Sequence, residues 1–258
     1  HWPTDVADGP GATREVLELR GVDLGAAYLK RNLARLDAAA AKGEIPQGGS
    51  VYLRAGQTKE ASPSGLLANL ALFRGFIEDL PPPKDVGDEL YRRGRVDQFA
   101  ISTQLSMINE FKPTRERDRV LARLDAAMAA IVKENAERIK VLLRDRDWFD
   151  DERDGEGAAL HGWLLVQHAD HDRAFQRDAL KRMEPLVAAG RASPTNYAYL
   201  WDRVAVGEKR PQRYGTQVTC KDGKPAAQVG LEEPERLDER RRDVGLGSWE
   251  DYTRGWCR

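Results

Sequence analysis

Between His161 and Gln217 the chain gathers the side chains best suited to chemistry: HGWLLVQHADHDRAFQRDALKRMEPLVAAGRASPTNYAYLWDRVAVGEKRPQRYGTQ. Three of the four histidines fall here, and His168, Asp170, His171 and Asp172 crowd into five residues. An unbroken helix would put His161, Leu164, Leu165, His168, Asp172 and Phe175 on one face, so a histidine and an acid would share the core stripe. A break is the better reading, because Asp170 and Asp172 are both good N-caps and the amphipathic pattern resumes at Phe175, Leu180, Met183, Leu186 and Val187. The break brings imidazoles, carboxylates and free backbone amides into one junction.

Three chemistries compete for that junction. In the first, Asp172 caps and His168 is a hydrogen-bonded structural residue. In the second, His168 is an acid/base or polar anchor oriented by Asp170. In the third, two or three of His161, His168, His171, Asp170 and Asp172 hold a divalent metal; neither HExxH nor CxxC spacing supports that cofactor.

Two further segments supply polar groups. Ser193 and Pro194 open a helix on which Tyr199, Asp202 and Arg203 stand at i, i+3 and i+4, with an intrahelical ion pair as the plain alternative to a site. RPQRYGTQVTCKDGKPAAQVGL then alternates as a β-hairpin turning at Asp222-Gly223. Gln212, Tyr214, Thr216 and Gln217 are polar for a strand start, and they exchange hydrogen bonds without ionising, as a pocket for a polar ligand requires.

The residues Trp163-Leu-Leu-Val-Gln-His-Ala-Asp170, Asp172, Phe175-Gln176, Ala198-Tyr199-Leu200, Asp202-Arg203-Val204, Pro211-Gln212 and Tyr214-Gly215-Thr216-Gln217 closely resemble a bacterial domain family of unknown function with QHAD and YGTQ motifs. The likeness runs from about Asn135, through Asp147-Trp148-Phe149 where relatives tend to have Gly-Trp-Pro, to Gly245-Leu246. Relatives often carry proline where this chain has Arg173, which fits a helix starting there. The resemblance brings no activity. It implies a signature polar set of Gln167, His168, Asp170, Asp172, Tyr199, Asp202, Arg203, Gln212, Tyr214, Thr216 and Gln217, with His161 and His171 outside it.

The elements that must position these groups are mostly helical. Asp23 caps a helix through LGAAYLKRNLARLDAAAAK, and Val51 to Leu53 is a short strand candidate. Ser62 and Pro63 open a helix through LLANLALFRGFIEDL that ends before Pro81, Pro82 and Pro83. VDQFAISTQLSMINEF is the next helix, and the stretch from Thr114 to about Asp147 is one long helix or a broken pair. DDERDGEG is a solvated acidic loop. In the last segment Ser248 and Asp251 form a capping box, Trp249, Tyr252 and Trp256 cover the core, and Arg240, Arg241 and Arg242 form a solvated helix face or a source of salt bridges.

Bulk composition narrows the partners. Lysine plus arginine (41) nearly balances aspartate plus glutamate (42), so no overall field recruits nucleic acid or an anionic membrane. No apolar run approaches the roughly 20 residues of a membrane helix. Cys220 and Cys257 suit one disulfide in an oxidising compartment or two free thiols in a reducing one. With a chain that begins at His1, the balance leans to a periplasmic or secreted protein. His1 itself offers a copper-binding amine and ring only if a second histidine stands beside it.

The expectation is therefore a mostly α fold, multi-helical with one small C-terminal β-hairpin, divided into an N-terminal helical region over 1–130 and a helical domain over 131–258. The functional expectation is a site for a small polar molecule or peptide. His168 and Asp170 would be its catalytic pair, Arg203 its carboxylate or phosphate clamp, and hydrolysis by water the first reaction to test. A noncatalytic structural or interaction protein, its polar signature stabilising helix packing, is the alternative.

Overall fold

The computed structural model describes residues 63–257. The helix after Asp23, the strand at Val51 to Leu53, the Ser62 cap and the His1 terminus lie outside them. Nine α-helices and one two-stranded antiparallel hairpin make up the described part, so the fold is mostly α with a single small C-terminal hairpin. In order these are α1 (Pro63–Asp79), α2 (Val86–Glu110), α3 (Arg115–Leu142), α4 (Asp151–Asp154), α5 (Ala158–Gln167), α6 (Arg173–Ala188) and α7 (Pro194–Gly207), then β1 (Val218–Lys221), β2 (Lys224–Ala227), α8 (Leu237–Asp243) and α9 (Trp249–Thr253). Contacts divide the chain into two compact units, one of which combines 83–91 with 132–258.

The other unit, described over 63–82 and 92–131, has its own apolar core. Leu67, Leu70 and Phe73 on α1 pack with Val96, Ala100 and Met107 on α2 and with Val120, Leu124 and Ile131 on α3. Phe73 and Phe99 stack at 4.7 Å between ring centroids.

Helix α2 starts ten residues before the apolar pattern does, for a capping reason. Asp85 accepts from the Asp88 amide at 2.7 Å, and Asp88 returns to the Lys84 amide at 3.2 Å, so the first turn is sealed by side chains among few apolar residues. Gly87 is required there, since a Cβ would stand 2.6 Å from the Gly155 carbonyl. Glu89 then receives a two-pronged bond from Arg138 on α3, both contacts 2.7 Å. α3 itself is one helix, closing with a 3-10 turn over Leu143–Asp145.

The acidic stretch read as a solvated loop is in fact the one-turn helix α4, because Asp150 caps it by accepting from the Glu152 and Arg153 amides. Asp154 is buried, and it is tolerated there because Arg146 and Arg153 reach its two oxygens at 2.5 and 2.6 Å. Asp151 serves the next helix. Its oxygens accept from the Gly157 and Ala159 amides, which Gly157, lacking a side chain, cannot cap itself.

The main core of the 83–91 and 132–258 unit joins Leu90, Ile139 and Leu143 to Phe149, Trp163, Leu165, Val166, Phe175, Met183, Leu200 and Val204. A second small cluster of Ala198, Tyr214 and Val244 sets the loop before β1 against α7. In the hairpin Val218 pairs with Ala227 and Lys221 with Lys224, and Asp222 and Gly223 turn with φ of 52° and 72°. The hairpin read from Arg210 onward has its first strand only from Val218. Gln212 makes an isolated parallel bridge with Leu231, and the chain then loops so that the Arg213, Tyr214 and Thr216 amides point inward to a buried acid, which an extended strand would not allow. Cys220 and Cys257 are joined as a disulfide, bringing β1 and the segment after α9 together.

Candidate functional site

The signature residues meet on α7. This helix begins at Ser193, whose hydroxyl accepts from the Asn196 amide, and carries Pro194 in its first turn. Tyr199, Asp202 and Arg203 leave it towards three different neighbours, and no intrahelical ion pair forms between Asp202 and Arg203.

Arg203 turns to the QHAD junction. The chain breaks there as the caps require: His168 ends α5, and Asp172 begins α6 by accepting from the Phe175 amide at 2.9 Å. Asp170 in between takes a two-pronged bond from Arg203, at 2.9 Å from Nε and 2.6 Å from Nη2, and a third from Arg173 at 2.9 Å. Burial alone would push the Asp170 carboxyl up, yet the hydrogen bonds and charges of Arg203, with the Arg173 charge beside it, outweigh this and hold it below its usual value. Asp172 is likewise held low, first by Lys140 at 2.7 Å and then by the Phe175 amide.

Gln176, which the site expectation did not include, is the buried centre of the junction. Its amide donates to the Val166 and Gln167 carbonyls at 3.0 and 3.1 Å and to Asp170 at 3.3 Å, while its oxygen accepts from Arg173 at 2.7 Å. Arg173 is thus a partner of both Asp170 and Gln176. Gln167 is fully buried and donates to the Tyr199 carbonyl at 3.4 Å, but its Oε1 has no hydrogen-bond partner. The same holds for the indole Nε1 of buried Trp163, whose ring meets Tyr199 edge-on at 6.3 Å.

Asp202 turns the other way. Fully buried, it accepts from the Arg213 and Tyr214 amides at 2.8 and 3.1 Å with one oxygen and from the Thr216 amide at 2.8 Å with the other. Burial pushes its carboxyl up, while these amides and the Thr216 hydroxyl pull the other way. Gln212 closes the same loop: its amide donates to the Gln217 and Gln228 carbonyls at 2.8 and 2.7 Å, and its oxygen accepts from the Gln217 amide at 2.8 Å. Thr216 Oγ1 accepts from the Gln217 side chain, and the Thr216 carbonyl from the Tyr252 hydroxyl at 2.9 Å.

Arg241, expected on a solvated face or in a salt bridge, is buried. It shares one side of α8 with Leu237 and Val244, a spacing of four and three residues that marks the core side. Its Nε donates to the Gly247 carbonyl at 2.7 Å and its Nη1 to the Tyr214 carbonyl at 2.6 Å.

Of the catalytic pair, Asp170 has Arg203, Arg173 and Gln176 as its carboxylate partners, and His168 is not among them. His168 is half-buried, His161 lies edge-on to Tyr91 at 5.2 Å, and His171 is exposed. Among the described residues no group of three or more histidine, cysteine, aspartate or glutamate side chains is placed to hold a metal ion.

The Asp170 pair gives a pH prediction. Because folding lowers this carboxyl, the pair contributes stability above the ordinary value of 3.8, and the contribution disappears as pH falls through the lowered folded value. Asp170→Asn is expected to cost about 1 kcal/mol at neutral pH, a modest figure because the carboxylate is partly exposed. In urea unfolding, the gap between variant and wild type should close below pH 3.8. A gap that persists there would show that Asp170 acts by packing.

The fold and motif geometry define a helical domain with an internally bonded polar signature. A family model described as a family of unknown function (DUF6624) matches residues 86–256, and the chain belongs to that family. The match begins upstream of Asn135 and takes in all of α2 and α3. No curated protein and no solved structure matches the chain.

Proposed function

We propose that this domain is a noncatalytic structural or interaction module, in which the polar signature stabilises helix packing. The observation that carries the reading is the commitment of all three signature acids, Asp172 being held by Lys140 and the Phe175 amide. Asp170 is bonded to two arginines and Asp202 to three backbone amides, which leaves none of the three free to orient an imidazole or to take a proton from water. Arg203, read from the sequence as a substrate clamp, spends its Nε and Nη2 on Asp170.

One observation favours the second reading, a site for a small molecule or peptide with hydrolysis by His168. Gln167 Oε1 and Trp163 Nε1 are buried without partners, an arrangement that a fully knitted core avoids. The Cys220–Cys257 bridge supports a periplasmic or extracellular setting. No described helix is long and apolar enough to cross a membrane.

The test is turnover. Purified full chain is assayed on nitrophenyl esters, nitrophenyl phosphates and a fluorogenic peptide mixture beside His168→Ala, with unfolding followed for both. The expected outcome is no turnover by either protein and a loss of about 2 kcal/mol in the variant. Hydrolysis by the wild type that vanishes in an equally stable His168→Ala would overturn the proposal.

A further inference from the structure

The segment that ends the described chain, α9 with the four residues after it, has few holds on the rest of the domain. Its five helical residues cannot sustain a helix alone, since helices shorter than roughly 12 residues are marginal in water. The Trp249 amide donates to Asp238 at 2.8 Å, and the Trp249 ring lies against Gly215. Tyr252 supplies the next hold, from its hydroxyl to the Thr216 carbonyl at 2.9 Å. Beyond Tyr252 the side-chain hydrogen bonds turn back on α9 itself: Thr253 donates to the Trp249 carbonyl, Arg254 to Asp251 and the Trp256 indole to the Tyr252 carbonyl. What ties the far end down is the Cys220–Cys257 bridge to β1.

Tyr252 also covers a charge. Its ring stands 4.8 Å from the guanidinium of Arg241, a residue with only 1% of its surface exposed. A guanidinium withdrawn from water normally has a carboxylate beside it, as Arg203 has Asp170 and Arg146 has Asp154. Arg241 is bonded instead to the Gly247 and Tyr214 carbonyls, and no carboxylate among the described residues is paired with it. Burial accordingly pulls its pKa below the ordinary arginine value. Hydrating such a cation is favourable, so the cover over it is held against a steady pull. A closed bridge resists that pull; an open one leaves α9 with Trp249 and Tyr252 alone.

The bridge also stands where a reductant can reach it. Cys220 is exposed on β1 and Cys257 is half-buried, and access to a sulfur is what thiol–disulfide exchange requires. We propose that the Cys220–Cys257 bridge is a redox latch, which a dithiol reductant opens to let α9 lift from Arg241 while the rest of the domain stays folded. One thiolate of the dithiol attacks Cys220 Sγ, and a mixed disulfide forms as Cys257 leaves as a thiolate. The second thiol of the reductant then attacks the reductant's own sulfur in that mixed disulfide and releases Cys220. The dithiol ends as a cyclic disulfide, and two electrons with two protons have passed to the protein's thiols. The domain is built to survive the opening, because the 212–217 turn is fastened separately by Asp202 and Gln212.

The full chain is treated with dithiothreitol in mildly alkaline buffer without denaturant. Thiols are counted by alkylation and mass spectrometry, amide exchange is followed residue by residue, and butanedione, an arginine reagent, reports access to Arg241. Both cysteines are expected to be alkylated, with exchange in α9 and butanedione attack on Arg241 each at least about tenfold faster than in the bridged protein. The Arg213, Tyr214 and Thr216 amides should stay as protected as before, and re-oxidation should restore the slow rates. Cys220→Ser paired with Cys257→Ser should show the open pattern without reductant and should not close on oxidation; reduction of the wild type reads the latch even if this variant fails to fold. The proposal is overturned if the bridge yields only in denaturant, or if reduction leaves α9 and Arg241 as slow as before. It is equally overturned if the Asp202-bound amides lose protection together with α9, which would make the bridge a staple of the whole fold.

Discussion

Replacing Asp202 by alanine is expected to destabilise the protein by about 3 to 5 kcal/mol, because it strands three amides at once. The Arg213, Tyr214 and Thr216 N–H groups all point at this one carboxyl, and the residues around it are enclosed, so water cannot take its place. At about 2 to 4 °C per kcal/mol for a chain of this size, Tm should fall by roughly 10 °C. Asp202→Asn separates charge from hydrogen bonding: it keeps one acceptor oxygen for the Arg213 and Tyr214 amides but turns an NH2 towards Thr216, and should lose about half as much. Chemical unfolding of the three proteins reads the series. An alanine variant within about 1 kcal/mol of wild type would mean that the 212–217 loop is held by its other bonds, to Gln212, Arg240, Arg241 and Tyr252.

The second large effect belongs to the Cys220–Cys257 bridge. Its partners are separated by 37 residues, and in the chain-entropy account closing a loop of that length removes about 4 kcal/mol of freedom from the unfolded state. The folded state should also loosen locally when the bridge is lost. Tyr252 and Trp256 sit between the cysteines in sequence; the Trp256 indole N–H donates to the Tyr252 carbonyl and the Tyr252 hydroxyl to the Thr216 carbonyl. Cys220→Ser paired with Cys257→Ser is therefore expected to lower stability by about 4 kcal/mol and to raise amide exchange first in α9. Unchanged stability after the double substitution would remove the bridge from the account of this fold.

Much of the fold was legible in the sequence because it rests on local signals. Ser193 with Pro194, Asp172 three residues before the Phe175 amide, Asp222-Gly223 and Ser248 with Asp251 each settle an element by chemistry within a few residues. What escaped depends on partners far along the chain. Asp154 reads as solvent-facing until Arg146 and Arg153 close on it. The start of α2 has too few apolar residues to show a period, and its Glu89 waits for Arg138, 49 residues on.

The candidate site shows the same division. That Gln167, Asp170, Asp202 and Gln212 belong together was readable from the motifs, and that they bond to protein groups is a matter of which face of α7 each neighbour meets. Asp202 and Arg203 are adjacent in sequence yet serve opposite segments, the first the 212–217 loop and the second the junction at Asp170. Arg241 lay hidden in a run of three arginines. The signal that singles it out is its apolar company, Leu237 four residues before and Val244 three after.

The two innermost knots of this domain are tied by Gln176 and Gln212, and neither side chain titrates. Acid therefore has no direct grip on these two side chains. Its handle on the 212–217 turn is Asp202, whose buried carboxyl lies above its usual value and takes up a proton before the arginine-held Asp170 and Asp154 do. The stability lost as pH falls further belongs to those two carboxylates, which folding holds low.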